Sequence, residues 1–172
     1  MARIDVDQSQ VLESFVDALR LELRLAESAC FVTLDPPGLA SWIPASDWWI
    51  TVSPGEGVFV DGEQTFPNVT EEVTLQTTIY NRIRLDHAGK DDRLILDGIN
   101  GLYPRKKAVM LAMIGRDLSL SWRDDAGAAT FLRSPVRVVH SSAPQVAVGK
   151  NNNSLALGFL TLSFIVSFDW AT

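Results

Sequence analysis

The sequence predicts an α+β fold in which a mainly antiparallel sheet carries two helices packed on one face. Several segments alternate strictly between apolar and polar residues, which is typical of strands in a half-buried antiparallel sheet. Two other segments repeat apolar residues at three- and four-residue spacing, which is typical of helices. Their order is helix, strands, helix, strands, and this favours a layered α+β domain.

The first predicted helix spans residues 9–28, and its apolar face is formed by Leu12, Phe15, Val16, Leu19 and Leu23. The second helix begins near Pro104, which a first helical turn accepts because its missing N–H would have no partner there. Its inward stripe is formed by Val109, Ala112, Met113 and Leu118.

Strands are predicted at 48–52 and 58–60, separated by a turn cluster at 53–57, and at 72–86. Residues 87–102 are predicted as a charged loop or short helix. Two or three strands follow between 117 and 140, with a turn at 124–127. The chain is predicted to form a single domain over residues 1–172, with an extended arm or loop at 141–159.

The last predicted strand, residues 155–170, changes phase in the middle. Its apolar residues lie on odd positions up to Phe159 and on even positions from Leu160 onward. One extra residue in a strand produces such a change, so we expect a β-bulge near Gly158. The segment from 160 onward is expected in the core, against the first helix. Because the stretch is short and interrupted by polar residues, a membrane span is not expected.

Charge and the number and spacing of cysteine and histidine residues argue against nucleic-acid binding, metal binding and catalysis. The net charge is −6, so the chain lacks the basic field that grips nucleic acid phosphates. Cys30 is the only cysteine, and we expect it to be a buried structural thiol. His87 and His140 have no metal-ligand spacing, and the acidic pairs fall at turns. We therefore expect no catalytic residues, no metal and no cofactor, and no enzyme activity.

Candidate functional residues are therefore surface residues. Trp48 and Trp49 are neighbours on a strand and face opposite sides, so one of them is open to cover by a loop, a second layer or another subunit. Coverage within the monomer explains both tryptophans equally well, and plain solvent exposure equally explains the arginines of the 72–86 strand. The candidate subunit or partner contacts are Trp48, Trp49, Tyr80, Arg82, Arg84 and Phe159.

The whole pattern resembles the tail terminator (tail completion) proteins of long-tailed bacteriophages. The resemblance rests on the N-terminal amphipathic helix and then, in chain order, on WITVSPGEGVFVDGE, VTLQTTIYNRIRLD, a charged DDRLIL helix, RKKAVMLAMI and the closing LTLSFIVSFDW. These are element order and loose patterns over most of the chain, and the loop at 141–154 has no counterpart.

The resemblance implies a virion protein of the neck that is assembled in the host cytoplasm. Such proteins form a hexameric ring on the last ring of the tail tube, stop tube polymerisation and meet the head-completion proteins. DNA would pass through the channel without sequence-specific binding. The alternatives are a head-closure (stopper) protein or a tail tube subunit. In another class, a soluble small-ligand binding module would have its pocket between helices and sheet, lined by Trp42 and Trp122.

Overall fold

The computed structural model describes residues 8–39, 42–60, 69–84, 98–116, 118–123, 129–131, 134–148 and 155–170. The α+β prediction is confirmed. The elements are α1 Gln8–Leu23, a 3₁₀ turn Glu27–Ala29, β1 Cys30–Val32, β2 Trp48–Phe59, β3 Val69–Arg84, α2 Leu102–Met113, β4 Ser119–Arg123, β5 Ala129–Phe131, β6 Ser134–Ser141, β7 Gln145–Val148 and β8 Leu155–Trp170. The predicted charged DDRLIL helix and His87 lie outside the described residues.

A six-stranded sheet organises the fold. Its order is β1-β2-β3-β8-β6, and β7 pairs with β8 on the same side as β6. The β1–β2 pair is parallel, and the other pairs of this sheet are antiparallel. The closing strand β8 is therefore central, between β3 on one side and β6 with β7 on the other. β4 and β5 form a separate hairpin.

The predicted β-bulge near Gly158 is wrong. β3 and β8 pair in one continuous register, from Val69 opposite Trp170 to Arg84 opposite Leu155. Phe159 and Leu160 consequently face opposite sides of a regular strand. The β6–β8 pairing shifts register between Ser134 and Arg137 and again between Val138 and His140. A further bulge lies in β2, where the register with β3 shifts between Pro54 and Gly57. The sequence pattern predicts a turn there, whereas the strand continues through the bulge to Phe59.

Two hydrophobic clusters on opposite faces of the sheet explain the phase change. One cross-strand row consists of Ile50, Ile79 and Leu160, and the adjacent row consists of Trp49, Tyr80 and Phe159. Adjacent residues of a strand face opposite sides, so the two rows point to opposite faces. The first row belongs to a cluster that we call the main core, and the second belongs to the aromatic cluster.

The main core contains buried residues from both helices. On α1, Val11, Phe15, Val16 and Leu19 are buried, and the Phe15 ring centroid lies 5.4 Å from that of Phe164. The expected contact between α1 and the 160–170 segment is confirmed. On α2, Pro104 lies in the first turn, Val109 and Met113 are buried, and Ala112 is half-buried. Leu118 joins the same cluster beyond the helix end.

The aromatic cluster consists of Ala29, Trp49, Tyr80, Leu157 and Phe159. The Trp49 and Tyr80 rings are stacked, with centroids 5.0 Å apart and an interplanar angle of 8°. Residues between 25 and 43 cover this cluster, and Leu25, Phe31 and Ile43 pack against it.

Gly38 closes the cover of the aromatic cluster. It has φ +83°, and a Cβ at this position would lie 2.7 Å from Cζ of Phe159. Its N–H donates a hydrogen bond to the Tyr80 hydroxyl at 3.1 Å. Glycine therefore meets two requirements here, because it adopts a left-handed conformation and leaves room for the Phe159 ring.

Residues 141–159, expected as an arm or loop, contribute largely to the sheet. β7 pairs with β8 from Gln145 opposite Phe159 to Val148 opposite Ala156. Leu155 to Phe159 form the first part of β8 itself. The predicted loop between these strands, residues 149–154, lies outside the described residues.

Candidate assembly surfaces

Three of the six predicted contact residues are covered by their own chain. Trp49 is 0% exposed, Tyr80 2% and Phe159 6%, and all three belong to the aromatic cluster. The prediction that they contact a neighbouring subunit is therefore wrong in this fold. The alternative of coverage within the monomer is correct for Trp49. The face of β3 that carries Thr74 and Gln76 is half-buried at these two residues, but Thr78 and Tyr80 on the same face are buried.

The other three predicted contacts differ among themselves. Trp48 is half-buried against the main core, and the Arg105 guanidinium lies 4.7 Å from its ring centroid in a cation–π contact. Arg82 is half-buried and donates through Nη2 to the carbonyl oxygen of Pro44, while its N–H donates to Asp47 O at 2.8 Å. It therefore anchors residues 44–47, which lead into β2, to β3. Arg84 lies in β3, and its side chain is outside the described residues.

The outer face of α2 is an apolar surface that the sequence reasoning missed. Tyr103 is 45% exposed, Leu111 75% and Ile114 46%. With Met110, Lys106 and Lys107 these residues line a groove of about 420 Å³. A helix that is apolar on its outer face as well as its inner face has a second surface to bury. The signal was present in the run VMLAMI, whose apolar residues exceed the inward stripe.

The outer face of α1 has the opposite electrostatic character. Glu13, Asp17 and Leu21 are exposed, with Leu21 73% exposed. Asp17 accepts a hydrogen bond from Arg20 at 3.0 Å on the helix surface. Toward the C-terminal end of the helix, Glu22 forms an ion pair of 2.7 Å with Arg116, which follows α2.

The distal half of β2 forms a third surface. β1 pairs only with Ile50–Val52, and in the described part of the chain residues 53–59 pair with β3 alone. Val58 and Phe59 are 61% and 47% exposed, and as neighbours they face opposite sides of the hairpin. Pro54 and the bulge interrupt this open edge, as is usual for edges protected from uncontrolled pairing.

A fourth exposed surface follows the other edge of the sheet. Val139 on β6 and Val146 on β7 are 54% and 51% exposed. Both strands pair with β8 on their inner side, and in the described residues no strand pairs with their outer side. His140 is exposed in the same edge.

Titratable groups in the described residues do not converge. No group of three or more His, Cys, Asp or Glu side chains able to hold a metal ion is found within the ranges the structure describes. The Cys30 thiol is fully buried in the main core, and burial raises its pKa to about 12. Burial also raises the pKa of the Tyr80 hydroxyl, and the hydrogen bond from Gly38 opposes that rise. The prediction that Cys30 is buried is confirmed.

The residues predicted to line a ligand pocket between helices and sheet are Trp42 and Trp122. Trp42 is 52% exposed and packs edge-on against Phe31, with ring centroids 5.0 Å apart. The Trp122 side chain lies outside the described residues. The groove on α2 faces outward instead. Among the described helices, none is long and apolar enough to cross a membrane.

Comparison of the sequence with protein-family models and with curated proteins gives no match. The resemblance to tail terminators therefore rests on element order and sequence patterns.

Proposed function

We propose that this chain is a structural protein of the bacteriophage neck that forms a hexameric ring on the end of the tail tube. The ring stops tube polymerisation and provides the interface for head attachment. Its partners are five further copies, the tail tube protein and the head-completion proteins, and its location is the virion. The chain acts through its surfaces, with no catalytic step.

The observation that carries the proposal is the exposed apolar groove on the outer face of α2, lined by Tyr103, Leu111 and Ile114. Contiguous exposed apolar patches of this kind mark protein interfaces. Single exposed apolar side chains also lie at the distal end of β2 and along the β6–β7 edge. A ring subunit between a tube and a head needs two lateral contacts and at least one axial contact, which matches several surfaces on different elements.

The charge of the chain suits a passage for DNA. Six copies at −6 each carry about −36, and a channel wall with part of that charge repels phosphates so that DNA slides. A basic channel would hold the DNA by counterion release. The electrostatics therefore favour transit of DNA over binding.

The assembly state of the purified chain is the first test. Light scattering is expected to give a mass near six times the 18.9 kDa chain, either alone or after addition of tail tube ends. Electron micrographs should then show rings with a central channel. A chain that remains a monomer in the presence of tube ends would contradict the proposal.

The phenotype of a phage without the gene separates the neck components. Loss of a terminator is expected to give overlong tails and free heads, and expression of the intact gene should restore normal tails. Free heads beside tails of normal length would identify a head-closure protein instead. Absence of tails would identify a tube subunit.

A small-ligand binding module is the second candidate function, and the groove on α2 favours it. Its volume of about 420 Å³ falls within the size range of ligand sites, and its lining is mainly apolar with two lysines. A strictly monomeric chain whose melting temperature rises on addition of an amphipathic anion would support this candidate.

A further inference from the structure

The outer face of α2 has a regular stripe of side chains. Tyr103, Lys107 and Leu111 follow one another at spacings of four residues, and Ile114 follows at the C-cap, directly after the helix; all four are exposed. The spacing of the first three places them along one side of the helix. Lys106 lies beside the stripe, with Nζ 6.0 Å from the Tyr103 ring centroid. The stripe is basic near the start of α2 and apolar toward its end.

The outer face of α1 has a stripe with the same spacing. Glu13, Asp17 and Leu21 are four residues apart, and all three are exposed. This stripe is acidic first and apolar last. Residues four apart on a helix are separated by about 6 Å along the axis, so both stripes have the same repeat.

The two stripes match when the helices run in parallel. With Asp17 opposite Lys107, Leu21 falls opposite Leu111, and Glu13 falls opposite Tyr103 with Lys106 beside it. The antiparallel arrangement keeps the Asp17–Lys107 pair but places the Glu13 carboxylate against Leu111. Only the parallel register therefore pairs opposite charges and buries both leucines.

A parallel register is consistent with the arrangement inside the chain. The Glu22–Arg116 ion pair brings the C-terminal end of α1 beside the residues that follow α2. For the outer stripes to meet, the α1 helix of a second copy packs over the outer face of α2, on the side away from the main core. The stripes of one chain cannot meet each other, because both face outward while their helices share the main core.

We propose that the outer stripe of α2 binds the outer stripe of α1 from a second copy of this chain, in parallel register. The contact is heterologous, with different surfaces on the two copies, so repetition closes a ring or builds a filament. The inference rests on the proposed function and names the lateral interface of that ring. Because opposite charges form half of the contact, added salt weakens it.

Charge reversal on either side tests the contact. Asp17→Lys places two lysines opposite each other, and Lys107→Glu places two carboxylates opposite each other. Each variant alone is expected to associate at least ten-fold more weakly than the wild-type chain, as measured by light scattering over a concentration series. Glu27→Lys changes an exposed acidic residue outside both stripes and outside the other exposed surfaces, and it serves as the control, with association at the wild-type level.

An equimolar mixture of the two variants gives the decisive result. The Asp17→Lys variant keeps the native α2 stripe, and the Lys107→Glu variant keeps the native α1 stripe. When the two variants alternate around a ring, every second interface is a native Asp17–Lys107 contact. The interfaces between them pair the new lysine at position 17 with the new glutamate at position 107. A six-membered ring accommodates this alternation. The mixture, and likewise the double variant, is expected to recover most of the wild-type association, which a simple loss of folding in either variant would prevent.

The apolar half of the contact has its own test. Leu111→Asp is expected to abolish association, and Leu34→Asp, at an 85% exposed loop position, is the matched control. Circular dichroism should show that both variants are folded. If the charge variants and Leu111→Asp all associate like the wild type, the proposed contact is wrong, while a wild-type ring would leave the proposed function intact. A wild-type chain that stays monomeric even with tube ends contradicts both proposals.

Discussion

The two faces of the sheet are packed in different ways. Among the described residues, the main core has twenty buried residues, mostly aliphatic, from helix, strand and post-helix segments. In the same part of the chain the aromatic cluster has five buried residues, and Leu25, Phe31 and Ile43 pack against it. Each side of the sheet has two buried side-chain atoms without a hydrogen-bond partner among the described residues, Trp49 Nε1 and Arg82 Nε on the side of the aromatic cluster, and Thr77 Oγ1 and Asn81 Oδ1 on the other side. The main core buries more apolar side chains and is therefore the principal source of stability, whereas the aromatic cluster fixes the segments that cover it.

The rows that form these clusters are adjacent in the same three strands. Ile79 and Tyr80 differ by one position, yet their side chains enter different clusters with different covers. A long strand can therefore be buried on one face along part of its length and on both faces along the rest, while its backbone stays regular. Along β3 and β8, the difference is whether other residues of the chain cover the second face of the sheet, as Leu25, Phe31 and Ile43 do at the aromatic cluster.

Alanine substitutions in the two clusters test this difference most strongly. Phe164→Ala is expected to lower the free energy of unfolding by about 4–5 kcal/mol, because its fully buried ring packs on Phe15 among close neighbours. Phe159→Ala is expected to cost about 3 kcal/mol, because the covering loop can collapse into part of the cavity. Urea unfolding followed by circular dichroism measures both values.

Hydrogen exchange distinguishes a local effect from a global one. In Phe159→Ala, the Gly38 amide, which donates to Tyr80, should exchange faster while amides beside the main core keep their protection relative to global stability. Equal costs for the two substitutions, or uniform loss of protection in Phe159→Ala, would show that the two clusters unfold as one.

The main core was predictable from the sequence because it lies on one face of regular elements. Alternation in β3 and in the second half of β8 identified residues such as Leu75 and Phe164, and helical spacing identified Phe15. Where both faces are buried, as around Phe159, alternation no longer separates inside from outside. The change of phase in β8 arises because Phe159 is covered on the second face of the sheet by residues more than a hundred positions earlier in the chain.

The surfaces were predictable only in part. Trp49 and Tyr80 resemble interface residues by type, and only their neighbours in space show that the chain covers them. The stripe on α2 is different, because Leu111 and Ile114 are offset from the inward residues Val109 and Met113 in the sequence itself. A count of apolar residues on every side of the helix would have found that surface.

Glycine substitutions sharpen the role of the covering loop. Gly38→Ala is expected to cost about 2–3 kcal/mol, from a left-handed backbone and from a methyl group that meets the Phe159 ring. Gly115→Ala is the matched control, because it has φ +73° but no atom within 4 Å of the added Cβ. Its cost should be about 1–2 kcal/mol, from the backbone alone.

The contact between Gly38 and Phe159 can be isolated further. In a Phe159→Leu background, the smaller side chain should reduce the cost of Gly38→Ala toward that of Gly115→Ala. Thermal or urea unfolding of the wild type, the two single variants and the double variant gives the coupling free energy. An unchanged cost would mean that the backbone conformation alone requires glycine at this position.

Each cluster also contains one buried ionisable group, and their titration gives the smallest expected effect. Cys30 in the main core has a pKa raised by burial to about 12, from an ordinary value of 9.0. Below pH 9 the thiol is neutral in both the folded and the unfolded chain. Between pH 9 and 12 the unfolded thiol loses its proton and the folded thiol keeps it, so stability falls by up to about 1.4 kcal/mol per pH unit.

Cys30→Ala separates this contribution from that of other groups, including Tyr80 in the aromatic cluster. Urea unfolding between pH 8 and 10.5 should show a shallower loss of stability in the variant than in the wild type, with the difference appearing only above pH 9. Any decline that remains in the variant then contains the contribution of Tyr80, whose pKa is also raised by burial. Parallel curves for the two proteins would mean that Cys30 ionises as readily in the folded chain as in the unfolded one, and that the main core is open to water at β1.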